Sequence, residues 1–308
     1  MIRPRLRISS AARPRLAVPI QAARPSFAQQ IRSRHTLQPL PYEEKFNTAE
    51  NGIPNFLSGP AFNIAWTQYQ THLIEKLNTM IADTDFEARQ VKDILLMTAR
   101  EPSQAPLFNY ASMIHNNAFF FKHLSPEPVA MPEHLKLHLE QSFGSIETLR
   151  REMVYTAAAM FAPGFVWLVK SPQLGLPHAF RILTTYAAGS PYPAAHWRRQ
   201  PVDMNTAAGM NDEQGLATAQ GYIENAAFGA GKSNPAVASK LKFAPGGTDV
   251  QPVLCINTWE HVWLWDYGFG AGGQGGKLAY AEAWWNAINW EMVANEANIK
   301  RHQMTGTL

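Results

Sequence analysis

The chain has 308 residues, 46% of them apolar and 17% charged, enough to bury a sizeable core in one large domain or two modest ones. No stretch approaches the run of about 18 consecutive apolar residues that a membrane span needs. A single cysteine, Cys255, excludes an internal disulfide and a cysteine-rich zinc site.

The formal charge of +3 conceals an uneven distribution. Residues 1–42 hold Arg3, Arg5, Arg7, Arg13, Arg15, Arg24, Arg32 and Arg34 and no Asp or Glu, so taking those eight from +3 leaves −5 for the rest. Arginine-rich, acid-free sequence interspersed with Ser, Ala and apolar residues is the composition of a mitochondrial presequence. In "RSRHTL" an arginine stands two positions before the His35–Thr36 bond, which predicts a cut after His35 and a presequence over 1–35. The alternative is a basic arm that grips RNA. The acidic remainder gives no whole-domain electrostatic footprint for nucleic acid.

Helices come first along the chain. In "FNIAWTQYQTHLIEKLNTMIADT" Trp66, Tyr69, Leu73, Leu77 and Ile81 recur at three- or four-residue steps, the spacing of one helical face. "FEARQVKDILLMTAR" and "PLFNYASMIHNNAFFFKHL" predict two more helices, the second opening at Pro106. "SPEPVAMP" at 125–132 interrupts the pattern and marks a domain boundary, with a helical hairpin over 36–128 and an α/β domain over 129–308. Two shorter helices follow at about 133–142 and 145–160. The period then changes, and "GFVWLVKS", "AFRILTTYAAG" and "PVLCINTW" are β-branched and aromatic runs bounded by Gly and Pro, hence three strands. Cys255, flanked by Leu254 and Ile256, reads as core filling. Residues 187–250, rich in Ala, Gly, Pro, Asn and Ser, read as a long insertion. "KLAYAEAWWNAINWEMVANEANIKRH" predicts one closing helix. The fold class is α+β, and no internal repeat is evident.

"GFGAGGQGGK" contains a formal G-x-G-x-x-G at Gly268, Gly270 and Gly273. No parallel strand follows it, and Ala271 and Leu278 occupy positions where a phosphate-binding loop needs Gly and Ser or Thr, so it reads as a surface turn.

"INTWEHVWLWDYG", followed a helix later by "AYAEAWWNAINWEMV", resembles the C-terminal signature of iron/manganese superoxide dismutases. "FGSIETLRREMVYTAAAMFAPGFVWL" and "LFNYASMIHNNAFFF" extend the resemblance over roughly 38–186 and 251–300. It implies an N-terminal helical hairpin followed by an α/β domain with a three-stranded antiparallel sheet. It also implies a metal held by three imidazoles and one carboxylate, a set suited to redox cycling. Carried over by position, the expected histidines fall on Ile64 and Asn117, the expected aspartate on Asn257, and only His261 retains its ligand type. The family's active-site tyrosine falls on His72, eight residues past Ile64 and about 12 Å along a helix, too far to replace a ligand. His115 stands roughly 200° around the helix from Asn117. The resemblance therefore implies no catalytic residue, no cofactor and no metal.

In the dismutases the glutamate of the Trp-Glu-His run bridges to the ligand histidine of the other subunit, which makes Glu260 and His261 interface candidates; the alternative is a polar pair within one monomer. The interface tyrosine and its histidine partner fall on Leu264 and Gln68. A presequence, a dismutase fold without its ligands and a long polar insertion together resemble the dismutase-like proteins of the small subunit of the fungal mitochondrial ribosome. That resemblance implies a structural role in the mitochondrial matrix. It also implies contacts with small-subunit ribosomal proteins and rRNA, and a dimer with a paralogous subunit. Arg198 and Arg199, beside Trp197, are candidates for phosphate or acidic-protein contact. The other readings are a mitochondrial dismutase and a free dimeric adaptor.

Overall fold

The computed structural model describes residues 35–46, 52–99, 101–173, 176–192 and 250–299. Residues 1–34 of the presequence, nearly all of the insertion, and Arg198 and Arg199 lie outside the described residues.

A short helix α1 (Glu43–Phe46) precedes a helix that starts at Ser58, whose hydroxyl caps it by accepting the Ala61 N–H. This helix is one rod in three parts: α2 (Gly59–Phe62), a wide π-type turn over Asn63–Gln68, and α3 (Tyr69–Ile81). Within the turn the Tyr69 N–H reaches the Ile64 carbonyl, five residues back. Such turns insert one residue into the helix and are frequent at functional sites. Downstream, Gln70, Leu73, Ile74, Leu77, Asn78 and Ile81 face inward, while Tyr69 is only half-buried.

The second expected helix is shorter than the periodicity suggests, because α4 covers only Val91–Thr98. Its predicted first turn is a separate 3-10 turn, Asp85–Ala88, capped by Thr84. Helix α5 (Ala105–Lys122) packs antiparallel to α3 and carries the Phe119, Phe120 and Phe121 run into the core. At 125–132 the chain becomes irregular, but it is tied to the C-terminal helices there. The Ser125 N–H donates to the Ala287 carbonyl and the Asn289 N–H to the His123 carbonyl, both at 2.8 Å. Helices α6 (Glu133–Phe143) and α7 (Ile146–Ala159) follow, the latter capped by Ser145.

The sheet has three antiparallel strands in the order β2-β1-β3, with β1 over Gly164–Gln173, β2 over Leu176–Tyr186 and β3 over Gln251–Asn257. Central strand β1 is apolar and buried from Phe165 to Val169, the pattern of a strand covered on both faces. Its first residue has to be glycine: a Cβ on Gly164 would lie 2.1 Å from the Thr185 carbonyl oxygen on the paired strand. Cys255 is fully buried in β3, and burial pushes its thiol pKa well up, as expected of core filling.

After β3 come α8 (Glu260–Tyr267), α9 (Gly276–Asn286) and α10 (Trp290–Ala297). The glycine-rich stretch is the turn between α8 and α9, with Gly270, Gly272, Gly273, Gly275 and Gly276 all at positive φ. The single closing helix expected from "KLAYAEAWWNAINWEMVANEANIKRH" is two helices. Ile288 leaves the helical path to bridge Leu124, and Asn289 caps α10 by accepting the Met292 N–H. Periodicity ran through this break because Trp284, Ile288 and Trp290 are apolar on both sides of it.

Candidate functional site: a buried amide chain at the helix–sheet junction

Three elements converge where α3, α5 and the end of β3 meet. Helix α5 directs Asn117 inward, β3 ends on Asn257, and the turn of helix after the π-type segment presents Gln70. The Asn117 and Asn257 side chains are fully buried and Gln70 is nearly so. Buried amides need partners, and here they supply one another. Asn257 Nδ2 donates to Asn117 Oδ1 at 3.1 Å, and Asn117 Nδ2 donates to Gln70 Oε1 at 2.9 Å and to the Ala65 carbonyl at 3.2 Å. Gln70 Nε2 closes the inner end on the Ile114 carbonyl at 2.9 Å. At the outer end Asn257 Oδ1 accepts the Trp259 N–H at 3.0 Å, and the Tyr280 hydroxyl donates to the Asn257 carbonyl at 2.7 Å. The chain of bonds runs in one direction, from amide to amide, and joins α3 to β3 through α5.

Of the four positions singled out from the sequence, the structure brings Asn117 and Asn257 into direct contact. Ile64 is half-buried and adjoins Ala65, whose carbonyl receives Asn117. His261 packs its ring on Tyr69 at a centroid distance of 4.0 Å and lies 5.8 Å from the Trp259 ring. Burial lowers the His261 pKa to about 4, so the imidazole is neutral at physiological pH, and burial raises the Tyr69 pKa to about 12. Among the described residues His261 Nε2 is buried without a hydrogen-bond partner, so no bond to Glu260 satisfies it. Glu260 is half-buried beside it, and its charge is felt at Lys277. His72 is solvent-exposed, and Gln68 likewise, whereas Leu264 packs partly against the core. His115 faces away from the amide chain and meets the Tyr192 hydroxyl at 2.8 Å.

Sequence reasoning missed Gln70 and gave Tyr69 a place on the helix face but not its contact with His261. One signal for Gln70 existed: it stands four residues after Trp66 on the apolar stripe of its helix, where a polar side chain must find a buried partner. The π-type turn concealed the rest, since one inserted residue shifts the register of everything beyond it.

Three large aromatic side chains outside the amide chain are exposed. Trp265 and Phe269 of α8 and its following turn, and Phe161 between α7 and β1, are 65%, 81% and 98% exposed. Lys277 of α9 donates from Nζ to the Met160 carbonyl at the end of α7 at 2.6 Å.

Residues 131–202 and 234–296 match the family model of the iron/manganese superoxide dismutase C-terminal domain. The matched segments hold all three strands of the antiparallel sheet, and the chain has an α+β fold of the iron/manganese superoxide dismutase-like class. The chain is 29% identical over 271 residues to the small ribosomal subunit protein mS42 of Schizosaccharomyces pombe, covering 85% of this chain and 98% of that protein. It is 24% identical over 256 residues to the small ribosomal subunit protein mS43 of the same organism, covering 80% and 81%. An iron superoxide dismutase of Plasmodium falciparum is 23% identical over 258 residues, covering 83% and 95%.

The metal that the dismutase fold implies does not fit the residues at the convergence point. Asn117 and Asn257 are neutral amides whose donor and acceptor atoms are turned toward each other. A divalent cation there would meet Nδ2 hydrogens and no compensating charge. Among the described residues no group of three or more His, Cys, Asp or Glu side chains is placed to hold a metal ion.

Proposed function

We propose that this chain is a non-catalytic structural component of the mitochondrial small ribosomal subunit, supporting mitochondrial translation from the matrix on a degenerate dismutase fold. The observation that carries the reading is the pairing of near full-length similarity to two small-subunit ribosomal proteins with the closed amide chain. On this reading Ile64, Asn117 and Asn257 are lost ligand positions and His261 is the one retained. The amide chain takes over the mechanical task of joining helix to sheet that a metal performs in an active dismutase.

The partners are ribosomal proteins and rRNA of the small subunit, and a paralogous dismutase-like subunit on the face of Glu260 and His261. The orphan His261 Nε2 supports that face, because a buried ring nitrogen is satisfied when a carboxylate of a partner approaches. The organisation on this reading is a presequence, a helical hairpin to residue 128 and an α/β domain from 129. Its insertion at 187–250 carries Arg198 and Arg199 toward phosphate or an acidic neighbour. No described helix is long and apolar enough to cross a membrane.

The test is depletion of the chain followed by pulse-labelling of mitochondrial translation products and assay of superoxide dismutase activity in the same organelles. The structural role predicts loss of labelling and of assembled small subunits with dismutase activity unchanged. Normal translation with lowered dismutase activity would return the chain to the enzymes. Neither change would favour a free dimeric adaptor.

A further inference from the structure

The first described residue is held by its backbone. His35 N–H donates to Asn78 Oδ1 at 3.0 Å, and Asn78 Nδ2 donates to the His35 carbonyl at 2.9 Å. Asn78 belongs to α3 and is only 7% exposed, so both ends of its amide are committed to this one peptide residue. Beyond it, Leu37 packs against the core and Leu40 is buried within it.

From this clamp we infer that the mature protein keeps His35, so that presequence removal stops upstream of it. This rests on the mitochondrial reading above. A cut of the His35–Thr36 bond removes the N–H that Asn78 Oδ1 accepts and the carbonyl to which Nδ2 donates. The new Thr36 ammonium can donate to Oδ1 but has nothing to offer Nδ2, which is left unpaired in a buried place. The sequence offers a bond that avoids this loss. Arg32 stands two positions before Ser33–Arg34, the same spacing that singled out His35–Thr36, and cleavage there leaves Arg34 and His35 on the body.

The experiment is to purify the endogenous protein from mitochondria, block its free amine chemically and identify the first residue by mass spectrometry. The expected start is Arg34 or His35. A start at Thr36 or later overturns the inference. An unprocessed start at Met1 leaves His35 in place and instead sinks the presequence reading. Independently, a foreign presequence with a defined cut can be fused directly before Arg34 or directly before Thr36. The Thr36 form is expected to accumulate several-fold less in mitochondria. Equal accumulation of the two forms would also overturn the inference, since His35 would then be dispensable to the body.

Discussion

Replacing Asn257 by Asp changes one atom in kind and converts the amide chain into a measurement. In the native protein Asn257 Nδ2 donates to Asn117 Oδ1 at 3.1 Å inside a fully buried junction. In Asn257→Asp an oxygen faces that oxygen, and the site has no cation to offset a carboxylate. The side chain escapes by taking a proton, since a carboxylic acid O–H can restore the bond to Asn117. The cost of the substitution is therefore capped by the cost of protonating an aspartate whose unfolded pKa is about 3.9. At about 1.36 kcal/mol per pH unit this gives about 4 kcal/mol at pH 7 and about 1.5 kcal/mol at pH 5. The sign follows from the raised folded pKa: the folded variant binds the proton that the unfolded chain releases, so its deficit grows as pH rises above 3.9. Urea unfolding of both proteins at pH 5 and pH 7 reads the difference directly. A deficit that is independent of pH would refute the reasoning, as would one that manganese or iron(II) abolishes, because the position would then be accepting charge or metal.

Other outcomes follow from the same structure. Gly164→Ala, with its Cβ 2.1 Å from the Thr185 carbonyl oxygen, is expected to cost more than about 3 kcal/mol or to yield no soluble protein, as checked by thermal unfolding of whatever folds. His115, His123 and His261 each have their pKa lowered to about 4 by burial, so the unfolded chain takes up protons between pH 6.5 and 4 that the folded one refuses. Stability is then full above pH 6.5 and falls through that window with a limiting slope near three protons per molecule, measurable by urea midpoints across pH; a flat profile would contradict the burial of these rings. Asn289→Ala removes the cap of α10 and is expected to lower stability by about 1 kcal/mol without altering the sheet, seen as a small drop in thermal midpoint.

Much of this fold is legible in the sequence. The three- and four-residue steps of Trp66, Tyr69, Leu73, Leu77 and Ile81 gave the long helix, and the β-branched and aromatic runs at 164–171, 179–189 and 252–259 gave the three strands, because burial of one face or both imposes those periods. Asn117 and Asn257 were legible as partners in one site only through a resemblance, since 140 residues separate them and no local rule links them. The π-type turn at Asn63–Gln68 was not legible, because an inserted residue in a helix is decided by what packs against it rather than by its own sequence. For the same reason the roles of Gln70 and Tyr69 were hidden. The break at Ile288 was missed because a bridge to Leu124, distant in sequence, overrides a helical pattern that continues on both sides.

The central claim is that the chain belongs to a ribosomal particle. Detergent-solubilised mitochondria run on a sucrose gradient at moderate salt, with the chain quantified by mass spectrometry against known small-subunit proteins, test it most directly. The account predicts that the chain sediments with the small subunit in near-equal proportion to those proteins. Recovery at the top of the gradient, free of the subunit, would contradict it.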